Sequence, residues 1–237
     1  MAALVLVTLA ACEPTRPPDP FTATGKLVAL SGGDAGAANA CFTCHGLAGR
    51  GDGDGAPRLA SIDRGYLARQ LDDYARGRRT HPQMEAIARR LSAADRQAVA
   101  AYYDAMPYPP DAAPAPPPST LYSEGDPARG LIACAACHGR DGEGIGPGNP
   151  PLGGQPAAYL AEQLRQWRAS ERRNDPGNLM LAISRQLTPA EVGSVAAHAA
   201  ALPGVPRRES REAFPPARRG DPRNDASAPP RREAGRE

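Results

Sequence analysis

The sequence predicts an all-α protein built from two tandem copies of one small domain. Three observations carry that expectation. The pattern Cys-x-x-Cys-His occurs twice, as CFTCH at 41–45 and CAACH at 134–138. Around it, apolar residues recur at helical spacing, and alternating β-branched runs that would signal strands are absent. The segments around the two motifs align with each other, which marks a duplication.

The chain opens MAALVLVTLAAC. Its apolar run, Ala2 to Ala11, is too short to span a bilayer. The ending Leu-Ala-Ala-Cys resembles a bacterial lipobox, although no Lys or Arg precedes the run. Residues 1–11 then read as a lipoprotein signal peptide and Cys12 as the lipid-bearing residue. An ordinary signal peptide is the alternative, and either directs export. Residues 12–24 are proline-rich and read as a tether. Residues 25–107 form the first expected domain. YPPDAAPAPPPS at 108–119 is an extended linker. Residues 120–203 form the second domain. The segment 204–237 mixes arginine with acidic residues, has almost no apolar content, and reads as a disordered tail.

Cys41 and Cys134 stand 93 positions apart. The same spacing relates Pro57 to Pro150, Leu59 to Leu152, Tyr66 to Tyr159, Gln70 to Gln163, Leu71 to Leu164 and Tyr74 to Trp167. Beyond ERRNDPG the spacing becomes 96, pairing Met84 with Met180 and Leu91 with Leu187. Leu160, Leu164 and Trp167 make an apolar stripe at i, i+4, i+7, and Val99, Tyr102, Tyr103 and Met106 make another. Thr188-Pro189-Ala190-Glu191 is a helix start with a cap, a first-position proline and a capping box. Ser92-Ala93-Ala94-Asp95 is its weaker counterpart.

Composition limits the core. The 237 residues include 27 prolines and 25 glycines, and only 5% are aromatic. So few large apolar side chains fill two cores poorly, unless each surrounds a bulky apolar cofactor. The net charge of +2 implies no polyanionic partner and no nucleic acid.

Three chemistries compete for the cysteines. A thioredoxin-like pair expects a βαβ context, which is missing. A four-cysteine zinc site would join ligands across the linker and leave both histidines unexplained. Covalent haem attachment accounts for every residue of the pattern. Thiols two residues apart on a helical turn reach two vinyl groups on one porphyrin edge. The next residue, His45 or His138, then lies under the iron. Two covalent haem c groups are therefore expected, on Cys41 and Cys44 and on Cys134 and Cys137. Met84 and Met180 are the matched candidates for the second axial position, where a thioether raises the potential. His81 and His198 read as loop and packing residues, with His81 close enough to Met84 to compete for iron. Pro57 and Pro150 mark where a backbone carbonyl accepts the imidazole N–H. Tyr66 and Tyr159 join the supporting shell. Arg78, Arg79, Arg172 and Arg173 either pair with haem propionates or form a solvated basic rim.

CxxCHG, P-x-L, YL-x-x-QL, an arginine-bearing loop, Met and a capped last helix together resemble class I cytochrome c domains. Two in tandem resemble diheme cytochromes of the c4 type, over residues 25–203. ACxxCHG, PPLGGQ, YLAEQL and RRNDP in the second copy match most closely. The first copy departs, with ASID after Pro57-Arg58-Leu59. The resemblance implies a periplasmic electron carrier that relays electrons from a bc1 complex or a dehydrogenase to a terminal oxidase, with no enzymatic activity of its own. An electron-accepting subunit of a membrane dehydrogenase is the alternative, and a diheme peroxidase stands behind both.

Overall fold

The computed structural model describes residues 20–53, 55–108 and 117–204. The expected signal peptide, Cys12, most of the linker and the tail from residue 205 lie outside them. Among the described residues the structure is helical, with extended pairing limited to three isolated β-bridges.

The first helix, α1 (Pro20–Ser31), starts five residues before the expected domain boundary, inside the stretch read as a tether. A proline at the first helical position costs nothing, because its missing N–H has no partner there anyway. The helix crosses α5 (Ala93–Ala105) at Gly25. A Cβ at that position would stand 2.0 Å from the Ala98 carbonyl oxygen, so the crossing requires glycine.

Between them lie α2 (Phe42–His45), α3 (Arg64–Ala75) and α4 (Pro82–Arg90). Their starts are set locally. Asp63 accepts from the Tyr66 N–H at the head of α3, and Ser92 accepts from the Asp95 N–H at the head of α5. His81 caps α4, its Nδ1 accepting from the Met84 N–H at 3.3 Å, and Pro82 follows it. Arg96 on α5 pairs with Asp72 on α3 and donates to the Ala88 and Leu91 carbonyls at the end of α4. Val28, Ile62, Leu67, Ile87, Leu91, Val99 and Tyr103 are buried as one core.

The second copy repeats the plan with α7 (Ala135–His138), α8 (Ala157–Arg168), α9 (Leu179–Gln186) and α10 (Pro189–Ala200). Thr188 and Glu191 form the complete capping box. The loop before α9 carries an added 3-10 turn, Pro176–Asn178, and the entry differs as well. A single turn, α6 (Thr120–Ser123), stands where the first copy has α1. Tyr122 fills the space beneath it and donates its hydroxyl to the Gly139 carbonyl at 2.8 Å. His198 on α10 packs against that ring at a tilt of 47° and hydrogen-bonds the Pro117 carbonyl at 2.6 Å, fixing the end of the linker. Leu131, Leu160, Leu187, Val192 and Leu202 make the second core. The described parts of both copies belong to one compact unit.

Candidate functional site

Each Cys-x-x-Cys-His pattern forms one helical turn, with Cys41 directly before α2 and Cys134 directly before α7. The histidine ends the turn and the chain then loops back over it. The Gly51 N–H bonds the His45 carbonyl at 2.9 Å, and the Gly144 N–H bonds the His138 carbonyl at 2.8 Å. Both glycines have left-handed φ, +82° and +79°, and a Cβ on either would collide with loop backbone. The returning loop places the Pro57 carbonyl 2.8 Å from His45 Nδ1 and the Pro150 carbonyl 2.8 Å from His138 Nδ1. A carbonyl only accepts, so Nδ1 carries the proton and Nε2 keeps its lone pair. Burial lowers the pKa of both imidazoles, against the opposing pull of those carbonyls, and keeps them neutral. A neutral imidazole with a fixed tautomer is prepared to bind a metal.

A cavity of about 910 Å³ opens on both motifs. Its walls include Cys41, Cys44, His45 and Met84 from one copy and Cys134, Cys137, His138 and Met180 from the other. Burial pushes the Cys41 and Cys134 thiols up to about 11. That is the opposite of the low pKa a redox dithiol needs. Among the described residues no cluster of three or more His, Cys, Asp or Glu is arranged for a metal ion, so the four cysteines do not meet in one zinc site.

The arginine loops lie where the copies touch. Arg79 and Arg172 face each other across an antiparallel bridge, and the Arg173 N–H bonds the Arg78 carbonyl at 2.8 Å. Arg79 and Arg172 are each only 3% exposed, so neither belongs to a solvated rim. Each stacks on an aromatic ring of its own copy, Arg79 over Tyr74 at 4.6 Å and Arg172 over Trp167 at 3.9 Å. Each also reaches into the other copy. Arg79 donates to Tyr159 Oη at 2.8 Å and to Gln163 Oε1 at 2.7 Å. Arg172 donates to Tyr66 Oη at 3.2 Å and to Gln70 Oε1 at 3.1 Å. The outer pair behaves differently: Arg78 is exposed and bonds the buried Asp73, while Arg173 is exposed and donates to the Ser170 carbonyl.

A second contact is one-sided. Arg58, fully buried, donates to the Ala60 carbonyl at 2.7 Å and to the Gly153 carbonyl at 3.0 Å, and lies over the Tyr108 ring. Its backbone pairs with the Gln155 amide. In sequence Tyr66, Gln70 and Arg79 align with Tyr159, Gln163 and Arg172, but alignment carries no sign that these partners cross between copies. In the sequence Arg58 shows only as the variable residue of P-x-L, and Gln155 only as the end of PPLGGQ.

The family model described as Cytochrome c matches residues 31–106 and 127–202. The chain belongs to the cytochrome c family, in its diheme c4 type. It is 44% identical over 181 residues to the thiosulfate dehydrogenase electron acceptor of Stutzerimonas stutzeri, covering 73% of this chain and 84% of that protein. It is 32% identical over 182 residues to the cytochrome c4 of Pseudomonas aeruginosa, covering 72% and 90%. Among solved structures, a thiosulfate dehydrogenase (TsdBA) from Marichromatium purpuratum superimposes with a TM-score of 0.69 at 38% identity. That match takes in 81% of this chain and 44% of the longer one. Reduced cytochrome c4 from Pseudomonas stutzeri gives 0.65 at 27% identity, with 76% and 97% covered.

A diheme cytochrome c carries two covalently bound haem c groups, and the cavity fits them. Its walls hold buried donors with no partner: Arg69 Nε, Arg79 Nε and Trp167 Nε1. The hydrogen-bond partners of Arg79 and Arg172 are tyrosine, glutamine and asparagine side chains, all neutral. Two guanidiniums buried without an anion call for one.

Proposed function

We propose that this diheme cytochrome is the electron acceptor of a thiosulfate-oxidising dehydrogenase. It carries electrons onward in the periplasm and does no thiosulfate chemistry itself. The observation that carries the reading is the 44% identity, over most of both chains, to a thiosulfate dehydrogenase electron acceptor. It favours the dehydrogenase over the bc1 complex as donor. A terminal oxidase remains the proposed destination.

In this reading Cys41 and Cys44 anchor one haem and Cys134 and Cys137 the other. His45 and His138 would each offer an imidazole nitrogen to the iron, and Met84 and Met180, which line the same cavity, a thioether. Bound haem supplies a one-electron Fe(III)/Fe(II) couple. The protein fixes the imidazole tautomers through Pro57 and Pro150, excludes water with its apolar walls, and sets the potential. Arg79 and Arg172, backed by Tyr159 and Tyr66, offer the buried positive charge that haem propionates match. His81 is engaged in capping α4 beside Met84. Lipidation at Cys12 would hold the carrier at the membrane, and Cys12→Ser should release it into the soluble fraction.

The test is to mix the oxidised protein with the catalytic subunit of a thiosulfate dehydrogenase and add thiosulfate. Both haems should be reduced faster than a monohaem cytochrome c at equal concentration, with no reduction by thiosulfate alone. A rate no better than that of the monohaem protein removes the proposed donor.

A further inference from the structure

One peptide group links the second copy to the first histidine. The unit between Pro57 and Arg58 presents its carbonyl to His45 Nδ1 at 2.8 Å. The N–H of the same unit donates to Gln155 Oε1, in the second copy, at 2.9 Å. Gln155 Nε2 closes the pair by donating to the Arg58 carbonyl at 3.0 Å. Gln155 is only 5% exposed, and Arg58 is completely buried, so water does not compete for these bonds.

The reverse link is impossible. At the 93-residue spacing the counterpart of Arg58 is Pro151, and the counterpart of Gln155 is Ile62. Proline has no N–H to donate, and isoleucine has no amide to receive it. The Pro150–Pro151 peptide bonds His138 at the same 2.8 Å, but without a second hydrogen bond behind it.

We propose that Gln155 is a positioning residue that lets the second copy tune the haem of the first, through Arg58 N–H and the Pro57 carbonyl to His45. Hydrogen bonds in a chain polarise one another. An acceptor on the N–H makes the Pro57 carbonyl a stronger acceptor, which makes His45 a more basic ligand. A more basic imidazole favours the ferric state and lowers the potential of that haem. His138 receives no such help. Two histidines with identical first contacts therefore hold haems of different potential, and the difference depends on the copies staying docked. The inference rests on His45 as an axial ligand.

The experiment is a spectroelectrochemical titration of the full diheme protein, with the two haems assigned by paramagnetic NMR. Gln155→Met removes the amide at similar volume. Arg58→Pro deletes the N–H and recreates the situation at Pro151. Arg58→Ala deletes the guanidinium and keeps the N–H. In the half-reduced protein, Gln155→Met and Arg58→Pro should each shift the electron toward the His45 haem by roughly threefold or more. That is a modest part of the 10–100-fold that changing a ligand's outer partner commonly costs. The His138 haem should stay in place, and Arg58→Ala should shift the balance less than Arg58→Pro. The relay is overturned if both haems move together, if neither moves, or if Arg58→Ala matches Arg58→Pro. The ligand assignment is checked separately by the wild-type NMR spectrum. Fewer than two haems with imidazole signals would defeat that assignment before the relay is addressed.

Discussion

Replacing Tyr159 by phenylalanine deletes one oxygen and leaves the ring in place. That oxygen accepts from Arg79 across the contact between the copies at 2.8 Å. Its counterpart, Tyr66, accepts from Arg172 at 3.2 Å, near the long limit for such a bond. A hydrogen bond to a charged group contributes roughly 1.5–3 kcal/mol, and the shorter bond belongs in the middle of that range. Tyr159→Phe should therefore cost about 2 kcal/mol, and Tyr66→Phe about 1 kcal/mol or a little more. The losses stay below the cost of a bare charge because Gln163 and Gln70 still receive the guanidiniums. Guanidinium chloride unfolding of the haem-loaded protein measures them. Haem absorption reports on both copies, and the fluorescence of Trp167, the chain's single tryptophan, reports on the contact. The reasoning fails if Tyr159→Phe lies within about 0.5 kcal/mol of wild type, the range of an ordinary surface change. It fails equally if Tyr66→Phe is the more damaging.

Met84→Ala and Met180→Ala should each remove part of the weak sulfur-to-iron absorption band of the oxidised protein, and the double variant all of it; a band surviving in the double variant reassigns the ligands. Gly51→Ala, at φ +82° with a Cβ 2.4 Å from the Ala56 oxygen, should cost more than about 1 kcal/mol and disturb only the first haem's spectrum. Comparable loss at both haems would contradict it. Acid should destabilise the fold through His45 and His138. Their folded pKa values lie below the ordinary 6.5, so the unfolded chain takes up the protons first. Their contribution is present above 6.5 and lost as pH falls through the lowered values, so denaturation midpoints should drop as the pH falls below 6.5. Flat midpoints would exclude the two imidazoles as the cause.

The haem count and the helical fold were legible because both are written locally. Cys-x-x-Cys-His is contiguous, and Thr188 to Glu191 holds a whole helix start in four residues. Arg79 and Arg172 were found by alignment but left between two environments. Alignment of the copies shows which residues correspond, and it is silent on which copy a side chain reaches into. Tyr159 accepting from Arg79 is a contact 80 residues apart, which no local pattern encodes. The start of α1 is hidden in the sequence because a proline at 20 suits a linker and a first helical turn equally well. His81 suits a loop or a competing ligand in sequence, and its geometry is that of a cap, a role histidine rarely signals. Gln155 carries no signal in sequence beyond the PPLGGQ match, since its partner is backbone and leaves no residue-type trace.

The exchange in which Arg79 takes Tyr159 and Gln163, while Arg172 takes Tyr66 and Gln70, has the form of an isologous interface: the same patch serves both sides and complements itself. In a symmetric pair of identical domains, any substitution in such a patch alters both sides at once. Fusing two copies into one chain ends that constraint. One side can then acquire Arg58 and keep Ile62, while the other keeps Pro151 and Gln155. Covalent linkage thereby permits direction: a pair of equal haems becomes an ordered pair, with one end suited to receiving electrons and the other to releasing them.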